Sequence, residues 1–356
     1  MNSPLQPPPP FSCNFTPQIP ELLFKLQCSL AISTYQAGKI IFISAKDENQ
    51  LVQLPRTFNK PMGMALKENK LAVATRDSVI VFRNEKSLAA SYPKNPNTYD
   101  SFFVPRVTYN TGAIDVHDIS WKENELFAVN TAFSCVMKID DEFSFTPVWH
   151  PKFIQKEAPG DFCHLNGLVV LNNELKYATA FNTGDTPQSW RENILNSGVL
   201  IDIPSNEIIS TDLGMPHSPR VFDGKLFLLL SATGEFISVD MKTGKKTIIK
   251  KINGFVRGLA KCGDYVFIGL SRLRKNSSTF AKLPIAEFSN SCGVDILHLP
   301  TGAFVGSIRY ESSVDEIYDI HILPNTIRPN ILSADKPESA MGISTPTDSF
   351  WAKEKE

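Results

Sequence analysis

Histidines, arginines and acids spread along this 356-residue chain are the groups with which it could do chemistry. His117, His164 and His217 stand out, because imidazoles brought to one place can hold a divalent metal or move protons. Asp115 and Glu316 could serve beside them as metal ligand or base. Arg220, Arg257, Arg272 and Arg274 suit an anion instead, since the planar guanidinium fork matches carboxylate and phosphate groups bidentately. Asn166 and Tyr318 add neutral hydrogen-bonding groups. No local motif ties these residues together: there is no G-x-S-x-G elbow, Walker loop, H-E-x-x-H or G-x-G-x-x-G. A site built from them must be assembled across the whole chain.

The elements that could assemble it are short β-branched and aromatic runs punctuated by Gly, Asn and Asp, with almost no sustained 3.6-residue period. Within them a small or turn-compatible residue followed by an aliphatic one recurs six times. The copies are Gly63-Met64-Ala65, Asp118-Ile119-Ser120, Gly167-Leu168-Val169, Pro219-Arg220-Val221, Gly258-Leu259-Ala260 and Asp319-Ile320-His321. Subtracting successive first positions gives spacings of 55, 49, 52, 39 and 61, near the roughly 40–50 residues of a propeller blade. The expected fold is therefore all-β, a six-bladed β-propeller in which each copy opens the innermost strand of a blade. After Asp319 too little chain remains for three more strands, whereas residues 29–34, 39–44 and 50–54 read as three strands without an inner one. The sixth blade should thus be closed by an inner strand from the C-terminus and three outer strands from the N-terminus, which leaves no open sheet edge.

Aligning the copies places Met62, His117, Asn166, Ser218, Arg257 and Tyr318 in one ring of the central channel. Lys60, Asp115, His164, Pro216, Phe255 and Glu316 form a second ring nearer its mouth. His217 is one residue out of register, but Pro216 and Pro219 beside it suit a bulge that turns it inward. Two longer connections, residues 182–197 and 272–290, should open on the same face, so that Trp190, Arg191, Arg272 and Arg274 overhang the mouth. A plainer reading has Arg220 and Arg257 neutralising Asp115 and Glu316, and His321 packed between blades.

The segments DVHDISW, CHLNGLVV, MPHSPRVFDGKLFLLLS, GFVRGLAKCGDYVFIGLSRLR, SCGVDILHLPTG and DEIYDIHILPN resemble a largely bacterial family of uncharacterised conserved proteins, frequent in cyanobacteria and proteobacteria and sometimes fused to tetratricopeptide repeats. The likeness spans residues 29–329, with HSPR, RGL, IGLSR and EIYD as its most specific parts. It implies the propeller and a functional channel mouth, and it brings no activity with it.

Composition narrows the function classes. With 36 Lys+Arg against 37 Asp+Glu the net charge is −1, which gives no electrostatic basis for binding nucleic acid or anionic membranes. The longest apolar stretches, such as residues 226–230, fall far short of a membrane span, and the start lacks the basic and apolar regions of a secretion signal. Six scattered cysteines without a CxxC pair fit free thiols and a cytoplasmic location. Residues 1–20 read as a proline-rich arm that could be removed without loss, residues 21–332 as one propeller domain, and residues 333–356 as a disordered polar tail in which Trp351 makes only casual contact. Two functions remain. One is binding of a small-molecule or peptide ligand, anionic or sugar-like, at the mouth. The other is a metal-dependent enzyme of lyase, lactonase or oxygenase type, with a divalent metal on His117, His164 and His217.

Overall fold

The computed structural model describes residues 7–273 and 279–352. Six antiparallel sheets stand around one axis. Their innermost strands are Met64–Lys67 (blade I), Val116–Lys122 (II), Leu165–Leu171 (III), Pro216–Phe222 (IV), Phe255–Cys262 (V) and Asp319–Pro324 (VI), and each touches the inner strands on both sides. Blade VI closes as expected: Asp319–Pro324 pairs with Cys28–Thr34, which continues to Lys39–Ala45 and Leu51–Thr57.

The core is divided among the gaps between blades. In Lys70–Ala74, Leu71 and Val73 pack towards blade VI while Ala72 and Ala74 pack towards blade II. Both faces of such a strand are buried, and this is why these strands read as continuous apolar runs rather than an alternation. One apolar cluster fills each of the six gaps, so every blade depends on two neighbours.

Close approach of the inner strands explains the repeated small residue. A Cβ on Gly63 would lie 2.8 Å from the His117 carbonyl oxygen, and one on Gly258 3.1 Å from the Asp319 backbone. Blades II, IV and VI carry a reaching side chain at or beside the equivalent point. Asp118 accepts the Leu168 amide (3.1 Å), Ser218 the Gly258 amide (2.9 Å) and Asp319 the Met64 amide (3.0 Å). Glycine and a polar hook thus alternate around the ring, and each hook satisfies a backbone donor that the crowded axis would otherwise strand.

Both chain ends differ from expectation. Cys13–Phe15 adds a fifth strand to blade V beside Ala303–Tyr310, and the helix Ile19–Lys25 seats Ile19 and Leu23 in the core between blades V and VI. The four prolines at positions 7–10 obscured how soon after them the chain becomes apolar. Removing residues 1–20 would therefore take away a strand and a fully buried isoleucine. At the other end Pro329–Ile331 runs parallel to Ser101–Asn110 as a fifth strand of blade I, and Gly342–Ser344 pairs with Ser349–Trp351 as a hairpin. Trp351 is an anchor: its indole packs on Tyr92 and Phe102, both at 5.3 Å, and its Nε1 donates to the Leu88 carbonyl at 3.0 Å. Trp351→Ala should lower stability by about 1–2 kcal/mol, reflecting a half-buried ring and one lost hydrogen bond; a chemical melt that does not move would refute the anchoring.

All six cysteines are free thiols, and no helix among the described residues is long and apolar enough to cross a membrane.

Candidate functional site

The inner strands of blades II to V each shift register against their neighbour. Such bulges re-aim side chains. In blade IV the shift lies between His217 and Arg220, with Ser218 at φ +50°. It sends the two residues to opposite ends of the channel.

Arg220 accordingly leaves the upper mouth. It lies between blades as a hub, bonded to Asp118 (2.9 and 3.4 Å) and to Asp319 (3.4 Å), and it lines the lower opening with His321. The expected pairing with Asp115 or Glu316 is not formed by Arg220. Burial pushes the Asp118 carboxyl up in spite of Arg220, whereas at Asp319 the pull of His321 and Arg220 outweighs burial and holds it down.

At the upper mouth an arc of rings follows the channel wall. Tyr35 meets Tyr318 (6.2 Å between centroids), Tyr318 meets His117 (5.7 Å), and His117 stands edge-on to His164 (4.8 Å). The arc continues from His164 to Phe181 (4.4 Å), His217 (5.1 Å) and Phe255 (6.2 Å). Phe181 stands between His164 and His217, and among the described residues no three His, Cys, Asp or Glu side chains are grouped to hold a metal ion. The expected three-histidine metal site is thus not assembled; the imidazoles are spaced into a lining by aromatic rings.

Each imidazole is pinned through Nδ1. His117 Nδ1 lies 3.2 Å from the Asp115 carbonyl and 2.8 Å from Thr131 Oγ1, whose own proton goes to the Leu165 carbonyl (2.7 Å). His217 repeats the arrangement with the Met215 carbonyl (3.1 Å) and Ser231 Oγ (2.6 Å), the serine donating to the Val256 carbonyl. Carbonyls only accept, so in both rings Nδ1 is the donor and a neutral ring carries its lone pair on Nε2. Burial pushes His117 down to about 4, helped by the positive charge of Arg257 and by His164. It drives His217 well below the ordinary imidazole range, again with Arg257 next in effect. His164 differs: its Nδ1 lies 3.0 and 3.1 Å from the two oxygens of Asp161.

A pocket of about 430 Å³ opens beside this arc. His164, His217, Phe255, Arg257, Arg272 and Glu316 line it. The Arg257 guanidinium lies over the Tyr318 ring, 3.3 Å from its centroid, and among the described residues no group accepts a hydrogen bond from it. Arg272 is held at the rim by Asp315 (2.8 Å) and the Asn290 carbonyl (3.1 Å). Asp115 is half exposed at the mouth with φ +60°. Asn166 and Tyr318 are buried along the channel, where Asn166 Nδ2 and the Tyr318 hydroxyl lack a hydrogen-bond partner among the described residues. Arg274 lies outside the described residues.

Both long loops cover the pocket. Trp190, from residues 182–197, is folded inward onto His164 (4.3 Å), while Arg191 stacks on the outer face of Trp190 and donates to Thr279 of the second loop (2.9 Å). Sequence reasoning passed over Asp161, Phe181, Thr131 and Ser231. The spacing of Asp161 three residues before His164 was the one available signal for the first. Thr131 and Ser231 each stand fourteen residues after their histidine.

Comparison with known proteins places the fold and the family. Two solved structures share the architecture at 10% identity: one chain of a nidogen/laminin complex (TM-score 0.50, covering 84% of this chain and 99% of that one) and a protein of unknown function from Bacteroides caccae (TM-score 0.52, 83% and 98%). Among curated proteins, part of the chain is 26% identical to plasma membrane ATPase 1 of Saccharomyces cerevisiae and 24% identical to the plasma membrane ATPase of Kluyveromyces lactis, in each case over 39% of this chain. It spans only 17–18% of the length of those ATPases. Residues 17–332 match the domain of unknown function DUF4915, and the chain belongs to that family.

Proposed function

We propose that the upper mouth binds a small polyhydroxylated carboxylate, of the sugar-acid type. The observation that carries this reading is Arg257, a guanidinium fixed flat on Tyr318 at the pocket wall with its N–H groups uncommitted among the described residues. A fork so held suits a carboxylate and has already lost its rotational freedom. Beside it the neutral His217 offers an Nε2 lone pair that suits a ligand hydroxyl. Phe181 and Phe255 supply faces for the apolar side of a sugar ring. The volume falls within the range of about 300–1,000 Å³ usual for small-molecule sites, and Glu316 on the same wall limits how much negative charge the site accepts.

Calorimetry and thermal shift with gluconate, galacturonate and their neutral parent sugars test the reading. The acids should bind and the sugars should not. Arg257→Lys keeps the charge but loses the fork, and should weaken binding by about 1–3 kcal/mol. Neutral sugars binding as tightly as the acids, or an unchanged affinity in Arg257→Lys, would remove the anion from the proposal.

A further inference from the structure

We propose that His164, oriented by Asp161, is a general base that hydrolyses an ester or lactone of the hydroxy-acid class; the substrate class rests on the binding reading above. Of the three imidazoles at the mouth only His164 turns its Nδ1 to a carboxylate, with both Asp161 oxygens within 3.1 Å. Asp161 is fixed in turn by Trp190 Nε1, which donates to Oδ2 at 2.9 Å. The His164 ring is clamped between Phe181 and Trp190, at 4.4 and 4.3 Å, and its Nε2 has no hydrogen bond among the described residues. The side chain is 13% exposed on the pocket wall that also carries Arg257. Asp161 and His164 both hold positive φ, +47° and +48°, a local strain that persists where the surroundings enforce a required geometry. This is the arrangement of a base and its orienting partner: a carboxylate on one nitrogen, an open pocket on the other.

The step balances without a cofactor. His164 Nε2 takes a proton from water as the water oxygen forms its bond to the acyl carbon, and the carbonyl electron pair moves onto oxygen beside the Arg257 guanidinium. The carbonyl then re-forms, the acyl C–O bond breaks, and the departing alkoxide takes the proton from the imidazolium. The products are an alcohol and a carboxylic acid, whose ionised form is the anion that Arg257 is suited to hold. His117 and His217 are less suited to the task, because their Nδ1 protons face neutral oxygens that lend an imidazolium no opposite charge.

Hydrolysis of p-nitrophenyl acetate and of glucono-1,5-lactone by the full chain tests the assignment. His164→Ala should lower the rate by about 10²–10⁴-fold, and free imidazole, which fits between Phe181 and Trp190, should restore part of it. Asp161→Asn, isosteric and so able to fold, should lower kcat with KM little changed, as befits a positioning residue. Wild type hydrolysing no faster than His164→Ala, or Asp161→Asn keeping its kcat, overturns the proposal. Gluconate binding measured on the same preparations separates the two readings: bound gluconate without ester turnover removes the catalysis and leaves the binding site, whereas ester turnover without gluconate binding removes the anion site and leaves the base.

Discussion

Arg220→Met should destabilise the propeller by about 3–5 kcal/mol, the cost of leaving buried charge without its partner. Arg220 is the cation between two carboxylates from blades II and VI, Asp118 and Asp319, which are 6% and 5% exposed. Those carboxylates cannot simply turn away, because each also holds a backbone amide of the neighbouring blade, Leu168 or Met64. The loss should depend on pH in a defined direction. Without Arg220 both carboxyls rise, so the variant unfolds most readily at neutral pH and the gap to wild type narrows as acid neutralises them. Chemical denaturation at pH 8 and pH 5 measures the gap. Asp118→Asn combined with Arg220→Met should recover part of the loss, because the amide oxygen still accepts from Leu168 and one buried charge is gone. An equal gap at both pH values, or no recovery, would show Arg220 to be an ordinary surface cation.

The same hub marks where the sequence was legible and where it was not. The six-fold recurrence led correctly to the inner strands and to the closure of blade VI, because inner strands crowd one axis and tolerate few residue types at the point of contact. The alternation inside that recurrence, glycine at 63, 167 and 258 against Asp118, the Ser218-Pro219 pair and Asp319, was visible as well. It encodes hooks on even blades and clearance on odd ones. Ring placement by strict alternation was less secure, since a one-residue bulge reverses the direction of everything beyond it. Arg220 is the case in point: two residues after Ser218, it faces the lower end although His217 faces the upper pocket. Asp161 was hidden for another reason. It lies before the inner strand, in a turn whose left-handed backbone no periodicity signals. Trp351 and Cys13 were concealed by polar or proline-rich surroundings, because three-residue strands are too short for a pattern to stand out.

Acidification from pH 7 to pH 4 should cost the folded state about 3 kcal/mol through His117 alone, with His217 adding in the same direction. An imidazole in the unfolded chain titrates near 6.5, whereas burial holds His117 in the fold down to about 4. Between those values the unfolded chain takes up a proton that the folded chain refuses. Stability from this source is therefore complete above about pH 6.5, is lost as the pH falls towards 4, and changes no further below that. The structural reason is the donor role of Nδ1: His117 already gives its proton to the Asp115 carbonyl and Thr131, and a second proton would have to sit on Nε2 near Arg257. His117→Asn isolates the effect, because an amide nitrogen can stand in for Nδ1 as donor while having no proton to gain. Its stability should fall less steeply than wild type between pH 6.5 and 4, and a double variant with His217→Asn should be flatter still. Unfolding curves at half-unit pH steps give the slopes directly; parallel slopes in wild type and the double variant would mean that these imidazoles charge as readily in the fold as out of it. A ligand that gives its hydroxyl to His217 Nε2 competes with protonation of that nitrogen, so gluconate should bind progressively more weakly as the pH falls through the range in which His217 charges.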